Sequence, residues 1–162
     1  TAFAWRRLPL GVPGRFFEEF KVGDVLRHSK TRTVTQEDNV AFCRLTDNNQ
    51  PLHLDEAYAK MTSFGRIVVN GLLPISWGVG VSVEDTTAGT LVGNLAYEDV
   101  QNSAPTFPGD TLRCETTVLD KRPSNKPDRG IVTLRHTVRK QDGTEVATFK
   151  RIVMVQMRGS KK

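Results

Sequence analysis

A chain of 162 residues, 38% hydrophobic and 25% charged, suits one soluble globular domain with a full core. No stretch approaches the roughly 18 uninterrupted apolar residues that a membrane-spanning helix needs. The net charge of +5 admits an anionic ligand, a membrane surface or nucleic acid, but no aromatic-basic recognition motif accompanies it, which argues against nucleic acid.

Residues 1–15 hold three arginines, two prolines, two glycines and no acid, and read as an irregular N-terminal arm anchored by Trp5. An Arg-rich, acid-poor start without Met also fits a trimmed organellar presequence, although such peptides are Ser-rich and this one is not. The chain, with only two cysteines, is expected in a reducing compartment, the cytoplasm, with the mitochondrial matrix as the alternative. Phe16 to Gly23 is a turn-rich lead-in, and 25–34 reads as a first strand. Thr35, followed by Gln36, Glu37 and Asp38, is a good helix start, and the helix is expected to run to about Leu45.

The next stretch, Asp47-Asn48-Asn49-Gln50-Pro51-Leu52-His53, has too many turn formers for a helix or strand interior and more hydrogen-bonding groups than a connector needs. A short helix follows over 55–61, with Asp55 as its cap. Residues 71–84 carry apolar groups around the whole circumference, the pattern of a buried helix, with Pro74 tolerated in its first turn. Four strands are expected at 91–100, 111–119, 131–139 and 145–157. Their period-2 alternation indicates antiparallel pairing with one covered face. Asp142-Gly143 signals a hairpin, and 122–130 is a basic, Pro-containing loop. Cys43 and Cys114 are too few for a disulfide framework, and the three histidines show no metal-ligand spacing. The predicted architecture is α+β: an antiparallel sheet of about five strands wrapped around one buried helix.

The run from Asn48 to His53 resembles the hydratase motif G-D-x-N-P-L-H-x-D of MaoC-like (R)-specific enoyl-CoA hydratases. Pro51-Leu52-His53 and Asp55 match, and Gln50 stands where the motif has asparagine. The motif's catalytic aspartate, five residues before the histidine, is Asn48 here, and Asp47 lies one position too early. Val69-Asn70-Gly71-Leu72-Leu73 with Ser76 is similar to the start of the family's central helix, and Phe107-Pro108-Gly109-Asp110 to its turn into a strand. Residues 118–122 and 149–155 resemble the mesaconyl-CoA hydratase (β-methylmalyl-CoA dehydratase) branch. The resemblance covers 16–158, expected as a single domain, and implies the hotdog fold.

It also implies the chemistry. Adding water across a C=C conjugated to a thioester needs a base for water, an acid for the α-carbon and donors for the enolate-like oxygen. Histidine suits both proton transfers, which makes His53 the candidate. An amide does not titrate near pH 7, so Asn48 is expected to hold water or thioester, with Asp47 or Asp55 orienting His53. The amino end of the 71–84 helix, with Gly71 flanked by Asn70, suits the developing oxyanion. By resemblance Ser76 and Gln50 stand near the substrate, and Lys121 and Arg122 are candidates for coenzyme A phosphates. His136 reads as a core histidine, and His28 has no catalytic context. No cofactor is expected, because coenzyme A is part of the substrate. The expected partners are an acyl-CoA and a second copy of the chain, since a small open sheet leaves an edge. Two alternatives stay open: a hotdog thioesterase, disfavoured because the first carboxylate of the helix is Glu84 at its far end, and a non-catalytic acyl-CoA-binding or heteromeric subunit, supported by Asn48.

Overall fold

In the computed structural model, which describes residues 14–159, a five-stranded antiparallel path runs β1 (Val25–Arg27), β4 (Thr111–Pro123), β5 (Arg129–Arg139), β6 (Glu145–Gln156) and β3 (Leu91–Gln101). A further short strand, β2 (Arg32–Thr33), also pairs with β4. The helices are α1 (Gln36–Leu45), α2 (Pro51–Leu54), α3 (Glu56–Lys60) and α4 (Leu72–Thr86), after a 3-10 turn at Phe17–Glu19. The sheet curls around α4, which packs on β4, β5 and β6, and this is the hotdog arrangement expected. The arm expected over 1–15, Trp5 included, lies outside the described residues except for Gly14 and Arg15.

Local chemistry explains the helix starts. Thr35 accepts the Asp38 N–H at 3.1 Å while the Asp38 carboxylate accepts the Thr35 N–H at 3.1 Å, a reciprocal cap on α1. Asp55 accepts the Tyr58 N–H at 3.0 Å and starts α3. Gly109, at φ 97°, turns the chain into β4 in a left-handed conformation that a side chain would strain. Gly78 lets α4 press onto the sheet, because an added Cβ would stand 2.9 Å from a Val138 methyl.

Two apolar clusters fill the space between helix and sheet. One gathers Val69, Leu73, Ile75 and Val81 with Cys114, Val138 and Phe149. The other gathers Phe20, Val118, Val132, Leu134, Val153 and Val155. Truncating a fully buried phenylalanine such as Phe20 or Phe149 typically costs about 3–5 kcal/mol. Between the clusters, the inward positions of the three central strands are polar: Thr116, His136 and Arg151.

Three expectations are corrected. The strand expected over 25–34 is two short strands, because His28 turns inward between them. Its Nδ1 meets Asp85 at 2.6 Å and its Nε2 meets the Thr116 hydroxyl at 2.7 Å. The turn-rich stretch includes one helical turn, α2, started by Pro51 at its first position, where a missing N–H costs nothing. Finally, α4 is not covered all round. Leu72, Ser76, Gly80 and Glu84 form an exposed stripe at four-residue spacing, away from the sheet.

Candidate active site

The imidazole of His53 is half-buried at the third position of α2. Its Nδ1 lies 2.7 Å from the Val68 carbonyl oxygen. A carbonyl only accepts, so Nδ1 carries the proton, and Nε2 is left with a lone pair. Backbone and side chains hold the turn itself. The His53 N–H donates to the Gln50 carbonyl at 3.0 Å. The His53 carbonyl accepts from Gln36 Nε2 at 3.1 Å and from Asn39 Nδ2 at 3.0 Å.

Asn39 was not legible as a site residue. It is fully buried in α1, and its carboxamide oxygen accepts the Asn70 N–H at 2.9 Å. One amide therefore joins the His53 turn to the start of α4. The only available signal was a polar side chain one turn before Cys43 on the helix face that is buried.

At the start of α4, Asn70 Oδ1 accepts the Leu72 N–H at 3.0 Å, so Asn70 is the working cap of the helix. The Gly71 N–H has no acceptor among the described residues. His53 and Gly71 line one cleft of about 310 Å³, together with Phe64, Val68, Asn102 and Thr106. A Cβ on Gly71 would come 2.7 Å from the Asn102 amide nitrogen, so a larger residue there would push that exposed side chain aside. A base with a free lone pair and a helix-start N–H facing one cleft can take a proton from water and stabilise an oxyanion.

The other expected site residues stand elsewhere. Asn48 Oδ1 accepts the Gln50 N–H at 3.1 Å and closes the loop before α2. Asp47 is exposed, at φ 53°, and takes the left-handed position that ends α1. Neither lines the cleft. Ser76 is exposed on α4 and lines a separate apolar hollow with Phe42, Leu45 and Trp77. Lys121 donates to the Phe17 carbonyl at 3.2 Å and lies over the Phe17 ring, tying down the lead-in. Arg122 sits at the far end of β4, eleven residues beyond the turn that borders the cleft, roughly 35 Å along a strand at ~3.3 Å per residue.

Two other groups are shaped by burial. The Cys114 thiol is pushed up to about 12, chiefly by burial and then by the neighbouring Glu115 carboxylate, which makes it a poor nucleophile. His136 is lowered from 6.5 to about 3, first by burial and then by the charges of Arg151 and His28, so it is neutral in the folded protein. Glu84 and Asp85 lie at the carboxyl end of α4 and bind Lys30 and His28, away from the cleft. Among the described residues no group of three or more His, Cys, Asp or Glu side chains could hold a metal ion. No helix among them is long and apolar enough to cross a membrane.

An antiparallel sheet wrapped around a central helix is the hotdog fold. The MaoC like domain model matches residues 18–140, and this chain belongs to that family. It is 30% identical over 145 residues to mesaconyl-CoA hydratase of Cereibacter sphaeroides, covering 90% of this chain and 42% of that protein. It is 28% identical over 137 residues to (R)-specific enoyl-CoA hydratase of Aeromonas caviae, covering 84% of this chain and 96% of that one. Among solved structures, a monoamine oxidase regulatory protein from Archaeoglobus superposes with TM-score 0.81 at 28% identity, covering 90% of this chain and 96% of that chain. A protein from Mycobacterium tuberculosis with a double hotdog fold superposes with TM-score 0.80 at 24% identity, covering 92% of this chain and 46% of that chain. The chain spans about two-fifths of the length of the first curated relatives it matches.

Proposed function

We propose that this chain catalyses the reversible addition of water to a 2-enoyl-CoA, giving a 3-hydroxyacyl-CoA. The observation that carries this reading is the shared cleft of His53 and Gly71. His53 Nε2 takes a proton from water as the oxygen bonds to C3. The thioester oxygen gains charge and is held by the Gly71 N–H at the positive end of α4. The imidazolium then returns its proton to C2, so one water is consumed and no cofactor is needed. Proton transfer by a positioned group contributes about 100- to 10,000-fold, and one oxyanion donor about 3 kcal/mol. In this reading Asn48 acts through its oxygen, which closes the loop that presents His53, and Asp47 shapes the same loop. Asn70 and Gln50 hold the turns that present Gly71 and His53, and Ser76, in its separate hollow, takes no part in the chemistry.

The similarity to mesaconyl-CoA hydratase supports a small branched dicarboxylic acyl-CoA as substrate. A second copy is proposed to pair along β3, an edge strand on which Leu91, Leu95, Tyr97 and Val100 are each at least 41% exposed. A monomer by light scattering at micromolar concentration would contradict that pairing. Residues 16–158 are taken as one domain. Relatives from bacteria favour a cytoplasmic enzyme. The test is a hydration assay on crotonyl-, longer-chain and mesaconyl-CoA. Hydration of mesaconyl-CoA supports the branch, and preference for crotonyl-CoA removes the branch but keeps the chemistry. Ligand binding without turnover of any of them favours the non-catalytic reading that Asn48 supports.

A further inference from the structure

The cleft has a cation at its rim that no acid neutralises. Arg66 is exposed, between Phe64 and Val68, which both line the cleft. Its guanidinium carbon lies 3.7 Å from the centroid of the Phe107 ring, and Phe107 follows Pro105 and Thr106, two more cleft residues. Among the described residues Arg66 has no carboxylate within ion-pair distance and no hydrogen-bond acceptor for its N–H groups.

Among the other candidate cations of the described residues, Arg122 and Lys126 have no ion pair but stand at the far end of β4 and in the loop after it, away from the cleft, and the rest are occupied. Lys140 lies over the same ring at 5.4 Å, but it pairs with Asp110 at 3.5 Å and donates to the Pro105 carbonyl. Arg129 is bound twice by Asp128 at 2.7 Å, and Lys121 is spent on the lead-in. A guanidinium parked on an aromatic face is held in place at little entropic cost, and its fork of donors matches a phosphate oxyanion.

We propose that Arg66, steadied by Phe107, is the phosphate-binding residue for the coenzyme A part of the substrate. This rests on the acyl-CoA reading above. It places the anion site at the mouth of the His53 cleft instead of on the loop after β4. A rim position suits a phosphate that stays in contact with water, whereas an acyl carboxylate would have to pass into the cleft. Loss of Arg66 weakens ground state and transition state alike, so KM rises while kcat holds.

The test is calorimetric titration of free coenzyme A, without turnover, into wild type, Arg66→Ala, Arg66→Lys and, as a surface control, Lys60→Ala. Arg66→Ala is expected to weaken binding about tenfold, Arg66→Lys less, and Lys60→Ala not at all. In the wild type the affinity should fall as salt is raised, and Arg66→Ala should flatten that slope. Equal affinity in wild type and Arg66→Ala, or no binding of free coenzyme A to wild type, would overturn the assignment. If Arg66→Ala binds free coenzyme A normally but loses affinity for mesaconyl-CoA alone, the residue reads the acyl carboxylate and the phosphate assignment is wrong. Hydration by the wild type is measured separately, so failure of the hydratase reading is distinguishable from failure of this one.

Discussion

The Nδ1 nitrogen of His53 is held 2.7 Å from the carbonyl oxygen of Val68, fifteen residues later in the chain. That single bond fixes the ring orientation and the tautomer, and leaves Nε2 as the basic atom. His53→Ala is therefore expected to lower kcat by about 100- to 10,000-fold. Because His53 is only half-buried, its folding should survive, with circular dichroism unchanged. Retention of more than a tenth of wild-type turnover would remove His53 from the chemistry.

Asn39 is the brace behind that ring. Replacing it with leucine leaves the Asn70 N–H without its acceptor and removes one of two donors to the His53 carbonyl. A buried group left unsatisfied costs about 1–3 kcal/mol, so Asn39→Leu should unfold at lower denaturant by that amount. It should also lower kcat more than it raises KM, because it loosens both the histidine turn and the helix start. A purely structural role would change the unfolding midpoint and leave kcat of the folded fraction intact.

Asn48 anchors the loop that presents His53. Asn48→Asp keeps an oxygen for the Gln50 N–H, while Asn48→Ala loses that bond, worth about 1 kcal/mol. Chemical denaturation should rank the alanine variant below both others. In the hydration assay the aspartate variant is expected to keep turnover and the alanine variant to lose it in part. Equal turnover in all three proteins would place Asn48 outside the mechanism.

The buried His136 sets a pH dependence. It is neutral when folded, with a value of about 3, and titrates at 6.5 when exposed. Below 6.5 the unfolded chain binds a proton that the folded chain refuses, so stability falls as pH drops from 6.5 towards 3. At about 1.4 kcal/mol per unit, roughly 2 kcal/mol is lost by pH 5. His136→Leu should flatten this slope between pH 7 and pH 5 in urea titrations. An unchanged slope would show that other groups carry it.

Much of the fold was legible because local signals agreed with tertiary demands. The Thr35–Asp38 cap, the Gly109 turn, the Asp142-Gly143 hairpin and the alternation in β4 to β6 each depend on neighbours in sequence or on one covered face. The break after Arg27 was not legible, since it depends on His28 meeting Asp85 and Thr116, 57 and 88 residues away. The exposed stripe on α4 was hidden because Leu72 and Gly80 look the same in sequence whether or not anything covers them. At the site, the histidine and Gly71 were visible as a motif, and the structure gives them one cleft. Arg66 and Asn39 were not, because neither a cation on a ring nor an amide between two turns has any spacing to read.

The central claim is tested most directly by single-turnover hydration of mesaconyl-CoA and crotonyl-CoA by wild type beside His53→Ala, both shown to be folded. The account predicts water addition by the wild type to at least one of the two, and loss of at least a hundredfold in the variant. A folded wild type that hydrates neither, or a variant as fast as the wild type, would contradict it.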